Sequence, residues 1–176
     1  MTNATATARR PVELGAALAA IALATVVYLP LAADGRPAPR GFVGHVLGIT
    51  GFLLMIFAQT AYTWRKKVTR EGYGPLRHWM QGHVFAGLVG PYLVLLHSAF
   101  RFRGLAGVLA LMVLVVVASG VAGRFVYTAI PRRLDAPGAR RGLAVWWLLH
   151  VPVAAAMFVL ALMHVAGALY YASFLR

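Results

Sequence analysis

Five apolar stretches, each long enough to cross a bilayer as a helix, decide most of what this chain can fold into. They cover residues 12–32, 41–64, 76–99, 104–130 and 142–173, and a spanning helix needs about 20 mostly apolar residues. Inside hydrocarbon the backbone has no water to bond, so such stretches become helices and not open sheets. The breaks between them, DGRPAPRG, RKKVTREGYGP, RFRG and PRRLDAPGARRG, combine proline, glycine and charge and read as turns. The predicted fold is therefore an all-α integral membrane protein, one transmembrane domain over residues 1–176, with helices 2 to 5 forming a four-helix bundle. The last stretch is long enough to tilt or to extend past the hydrocarbon. The first follows ARRP and ends near LAADG like a signal peptide, but its apolar run exceeds a usual h-region, so it reads as a retained helix.

Charge supports this reading and orients it. The chain has 17 Lys plus Arg against 4 Asp plus Glu, a balance that a nucleic-acid binder can also show. A nucleic-acid binder spreads its cations in a stripe over a folded surface, whereas here they cluster between apolar runs. Nucleic acid is thus not expected as a partner; membrane lipid is. With five spans, the N-terminus and the loops after helices 2 and 4 share one side. That side carries eleven cations (Arg9, Arg10, Arg65, Lys66, Lys67, Arg70, Arg77, Arg132, Arg133, Arg140, Arg141), and the other has five (Arg36, Arg40, Arg101, Arg103, Arg176). The positive-inside rule predicts a multi-pass protein of the cell (inner) membrane, N-terminus cytoplasmic and C-terminus outside.

The absence of cysteine from the sequence removes disulfides, iron–sulfur clusters, thiolate zinc and covalent c-type haem attachment. The four acids, Glu13, Asp34, Glu71 and Asp135, fall in flanks or loops, so no carboxylate is expected inside a helix. Di-iron sites, most zinc sites and carboxylate-based ion translocation then lack ligands.

Histidine remains. His83 and His97 lie fourteen residues apart on helix 3, and His150 and His164 fourteen apart on helix 5. At about 100° per residue, fourteen steps fall about 40° short of four turns, so each pair keeps to one helix face, with its members about 21 Å apart. Helices 3 and 5 run in the same direction because one helix intervenes. His83 and His150 therefore share the inner level, and His97 and His164 the outer one, with 67 residues separating the partners in both cases. Two imidazoles facing one another across a bundle are what bis-histidine haem ligation requires. Small residues line the same faces: Gly87, Gly90 and Val94 on helix 3, Ala154, Met157 and Ala161 on helix 5, with Gly107, Gly120 and Gly123 on helix 4. Glycine lets a flat ring approach the backbone, and it also serves ordinary helix packing in membranes. A lone histidine in a membrane helix often does no more than bond to a neighbour; four at matched depths point to two b-type haems.

The histidine spacing resembles the dihaem four-helix core of cytochrome b and of ferric-reductase-like transmembrane domains. The stretches GHVFAGLVGPYLVLLHSAFRFRG and SGVAGRFVYTAIPRR look like those of small bacterial cytochromes of this kind, over residues 41–173. The resemblance implies that His83 with His150 ligates an inner haem iron, and His97 with His164 an outer one. The chain departs from the pattern in having no quinone-site signature of respiratory cytochrome b and no flavin or nicotinamide domain.

Other residues carry weaker expectations. Haem propionates want cations: Arg124 at the inner level, Arg101 and Arg103 at the outer one, where plain interfacial anchoring is the competing role. His45 and His78, at the starts of helices 2 and 3, are candidates to bond a quinone carbonyl, or are simply wet interfacial histidines. Tyr92, Tyr127, Trp146, Trp147, Tyr170 and Tyr171 read as interfacial belt or packing, and Pro91 and Pro152 as kinks. Three functions follow in order: an electron-transfer cytochrome subunit working with redox partner subunits and quinone; a stand-alone reductase of an external acceptor such as ferric chelate; and a haem-free structural subunit.

Overall fold

The computed structural model describes residues 12–35, 41–67, 75–129 and 137–174. They form five helices: α1 (Val12–Ala33), α2 (Phe42–Lys67), α3 (Leu76–His97), α4 (Gly104–Ala129) and α5 (Pro137–Phe174). Each contains a window long and apolar enough to cross a membrane, and no strand occurs among the described residues. Half of the loop cations counted for orientation, namely Arg9, Arg10, Arg36, Arg40, Arg70, Arg132, Arg133 and Arg176, lie outside the described residues.

One boundary differs clearly from expectation. The last helix begins at Pro137 and not at 142, making it 38 residues long, about 57 Å at 1.5 Å per residue. Proline at the first helical position costs nothing, because its missing N–H is one that a helix start leaves unpaired anyway. The turn signal in DAPGARRG therefore marks a helix start within the stretch expected to be loop.

Helices α2 and α3 form the tightest pair, and glycine is the reason. A Cβ on Gly51 would lie 2.7 Å from the Gly90 carbonyl oxygen, and one on Gly90 would lie 2.9 Å from that of Gly51. Small residues that let two backbones touch are the usual means of association in lipid, where apolar side chains gain little by leaving it. Gly90, expected beside a bound ring, thus faces α2. Helices α4 and α5 form a second antiparallel hairpin, and α1 lies parallel to α3, with Thr25 and Tyr92 hydrogen-bonded through their hydroxyls. The two hairpins meet through α3 and α4.

The core sits at mid-bundle, between the two histidine levels. Met55, Leu109, Val113, Met157 and Ala161 are buried together, with Phe52, Val94 and Leu160 packed around them. Phe52 of α2 stacks on Phe158 of α5 at 5.7 Å between ring centroids. Outward faces stay apolar, as with Leu18, Leu23 and Val26 on α1 and Leu148, Leu149 and Val159 on α5. That arrangement suits lipid and would be an aggregation hazard in water.

Candidate functional site

The inner level is built around a cavity of about 330 Å³ whose walls include both His83 and His150. The two rings come from helices that do not otherwise hold each other closely. The remaining lining is mostly apolar or small, with Ala58, Gly87, Val117, Gly120, Ala154 and Met157 among it. A Cβ on Gly87 would meet nothing within 4 Å, and one on Gly120 only the His150 ring at 3.4 Å.

The histidines are oriented from behind. His83 Nδ1 lies 2.6 Å from the Ala58 carbonyl oxygen on α2. A carbonyl can only accept, so Nδ1 carries the proton and, in the neutral ring, Nε2 carries the lone pair. His97 repeats this at the outer level, its Nδ1 donating to the Gly44 carbonyl at 2.8 Å. There the ring lies flat on α2, since a Cβ on Gly48 would come within 3.0 Å of it. The α2–α3 seam therefore sets the tautomer of both α3 histidines.

His150 is held by another route. The Ser119 hydroxyl lies 2.6 Å from His150 Nδ1 and 2.9 Å from the Val116 carbonyl, so the ring is held against α4 through Nδ1. Trp146, one turn before His150, stacks on the imidazole at 5.1 Å and donates its indole N–H to the Ser119 carbonyl at 2.7 Å. Trp146 was expected to be interfacial packing; it is a positioning residue for His150. The signal was the four-residue spacing, which puts both side chains on one helix face. His164 lies on α5 fourteen residues beyond His150, partly buried, and makes no side-chain hydrogen bond among the described residues.

The helix 4 glycines divide. Gly120 lines the inner cavity. Gly123 is covered by the Trp146 indole, so its missing side chain admits a tryptophan. A Cβ on Gly107 would lie 2.7 Å from the Phe102 carbonyl carbon, so this glycine serves the reversal between α3 and α4. That reversal turns through Ala99, Phe100 and Gly104, all with positive φ. Arg101 and Arg103 are exposed on it, near the outer level.

Arg124 lines the inner cavity, but its guanidinium is already engaged by the carboxylate of Glu13. Glu13 is 6% exposed and sits in the first turn of α1, with Gln81 Nε2 donating to its other oxygen at 3.3 Å. The expectation that no carboxylate lies inside a helix is corrected here. Glu13 is only the second residue of its apolar stretch, and burial against α3 and α4 carries it inward. His45 and His78 are both exposed, and His45 Nδ1 bonds to the Gly41 carbonyl of its own first turn at 2.9 Å.

The chemistry of the donor set fits haem. His83 and His150 both line a largely apolar cavity at the inner level, and the carbonyl bonded to Nδ1 of His83, as of His97, leaves the lone pair of the neutral ring on Nε2. Among the described residues no three His, Cys, Asp or Glu side chains converge, but haem iron with two axial histidines asks the protein for only two ligands. No protein-family model, curated protein or solved structure matches the chain, so the functional reading rests on these residues.

Proposed function

We propose that the chain carries electrons across the membrane with a b-type haem held at each histidine level, as the membrane cytochrome subunit of a redox complex. Quinone or a partner protein would be the terminal on either side. The observation that carries this reading is the way the rings are held: His83 and His97 each have Nδ1–H committed to a carbonyl oxygen, and His150 Nδ1 is bonded to the Ser119 hydroxyl, so in all three Nδ1 is engaged behind the ring. Metal-ligating histidines are held in this way, and the outer hydrogen bond both orients the ring and raises its basicity.

Bound haem would supply a one-electron iron couple. The chain's own part is to hold, insulate and space. His83 with His150, and His97 with His164, would ligate the two irons. Gly87 and Gly120 leave room at the inner wall. The mid-bundle core of Met55, Val113 and Met157 keeps water from the region between the levels. The levels stand about 21 Å apart along the helices, which nearly spans a hydrocarbon core of about 30 Å.

Haem-loaded protein in sealed vesicles, with a membrane-impermeant reductant outside and an impermeant acceptor trapped inside, tests the function directly. The trapped acceptor should be reduced by the wild-type chain, and not by His83→Ala or His97→Ala. A doubly loaded chain that leaves the acceptor oxidised would contradict electron transfer.

A further inference from the structure

We infer that Glu13 is a positioning residue that sets the charge of the inner site, by holding Arg124 at the cavity wall as half of a neutral pair. The inference rests on the haem reading above and adds to it a part for α1, which lies outside the stretch that resembles cytochrome b.

Ionisable side chains inside membrane helices are rare and expensive, so one that is buried calls for an account and a named partner. Glu13 is 6% exposed, and both of its oxygens are engaged, one by Arg124 of α4 and the other by Gln81 of α3. Its neighbour Leu14 lines the inner cavity together with Arg124, His83 and His150. On its other side Glu13 forms part of a shallow groove with Val12, Ala16, Gln81, Gly82 and Phe85. The carboxylate thus stands in the wall between the cavity and the outside of the bundle. Anchoring α1 does not itself require a charge, since Thr25 already bonds Tyr92 further along the same helix pair. What the carboxylate adds is electrostatic. The Arg124 guanidinium at the cavity wall favours the reduced, less positive state of the site, and the Glu13 carboxylate against it offsets that charge. The outer pair, about 21 Å along the helices, feels the same charge more weakly, because the interaction falls with distance.

Four proteins test the inference: wild type, Glu13→Gln, Arg124→Gln and the double variant, each titrated by redox potentiometry with the two haems resolved. Glu13→Gln is expected to raise the inner haem's potential by a tenfold change in its reduction equilibrium, about 59 mV for a one-electron couple. Arg124→Gln should lower it, and the double variant should return close to wild type, with the outer haem moving less throughout. Potentials that ignore both single variants, or two haems that shift by the same amount, would overturn the inference. The same cycle in the haem-free chain is read as thermal stability. Each single variant removes one member of the ion pair while the other keeps its charge and should lower the melting temperature, and the double variant should recover most of the loss. Additive losses would overturn the pairing whether or not haem binds. A chain that takes up no haem at all fails the cytochrome reading and this one with it; two haems with unmoved potentials fail this one alone.

Discussion

The two ends of the bundle present the same pair of histidines and support them unequally. At the inner level both rings are fixed from behind, His83 by the Ala58 carbonyl and His150 by Ser119 and the Trp146 stack. Both line one cavity, and an ion pair between Arg124 and the buried Glu13 stands at its wall. At the outer level His97 is fixed by the Gly44 carbonyl and pressed against Gly48, whereas His164 has no side-chain hydrogen bond among the described residues. The adjoining reversal is short, exposed and partly left-handed. A ligand held in one orientation pays its ordering cost during folding, whereas a less constrained one pays on binding. The inner site is expected to hold its haem more tightly than the outer.

Loss of a ligand should have the largest effect. His83→Ala or His150→Ala should reduce the haem count from two per chain to one while the outer spectrum stays, and His97→Ala or His164→Ala should do the reverse. Equal loss of both haems from any one of these would break the division into levels. Steric blocks come next. Gly87→Leu adds a side chain where a Cβ meets nothing, so helicity by circular dichroism should persist while the inner haem is excluded. Gly48→Val should push on the His97 ring and remove the outer haem alone.

Smaller effects should sharpen the asymmetry. Ser119→Ala removes the hydroxyl bonded to His150 Nδ1 and should weaken inner haem retention by about 10–100-fold, the usual cost of losing a partner behind a metal-ligating histidine, measurable as haem transfer to an apo-acceptor. Trp146→Phe keeps an aromatic ring over His150 and loses one hydrogen bond to the Ser119 carbonyl, a destabilisation of about 1 kcal/mol by denaturant titration.

The spans and the two histidine levels were legible in the sequence because length, apolarity and the fourteen-residue spacing survive any detail of packing. Local roles were not. Gly87 and Gly90 read alike on a helical wheel, yet one borders the cavity and the other the α2 seam, because a three-residue step turns the helix by about 300° and so onto a neighbouring face. Trp146 looked like any membrane-end aromatic until α4 brought Ser119 and Gly123 against it. Glu13 looked like a flank because its partners, Arg124 and Gln81, lie 111 and 68 residues away, beyond the reach of any local pattern.

The most direct measurement is a reduced-minus-oxidised visible spectrum of the purified chain, made with haem available, together with the haem count per polypeptide. The account predicts two b-type haems per chain, with distinct potentials. A preparation that takes up no haem would contradict it, and would leave the Nδ1 contacts of His83, His97 and His150 as hydrogen bonds of helix packing and nothing more.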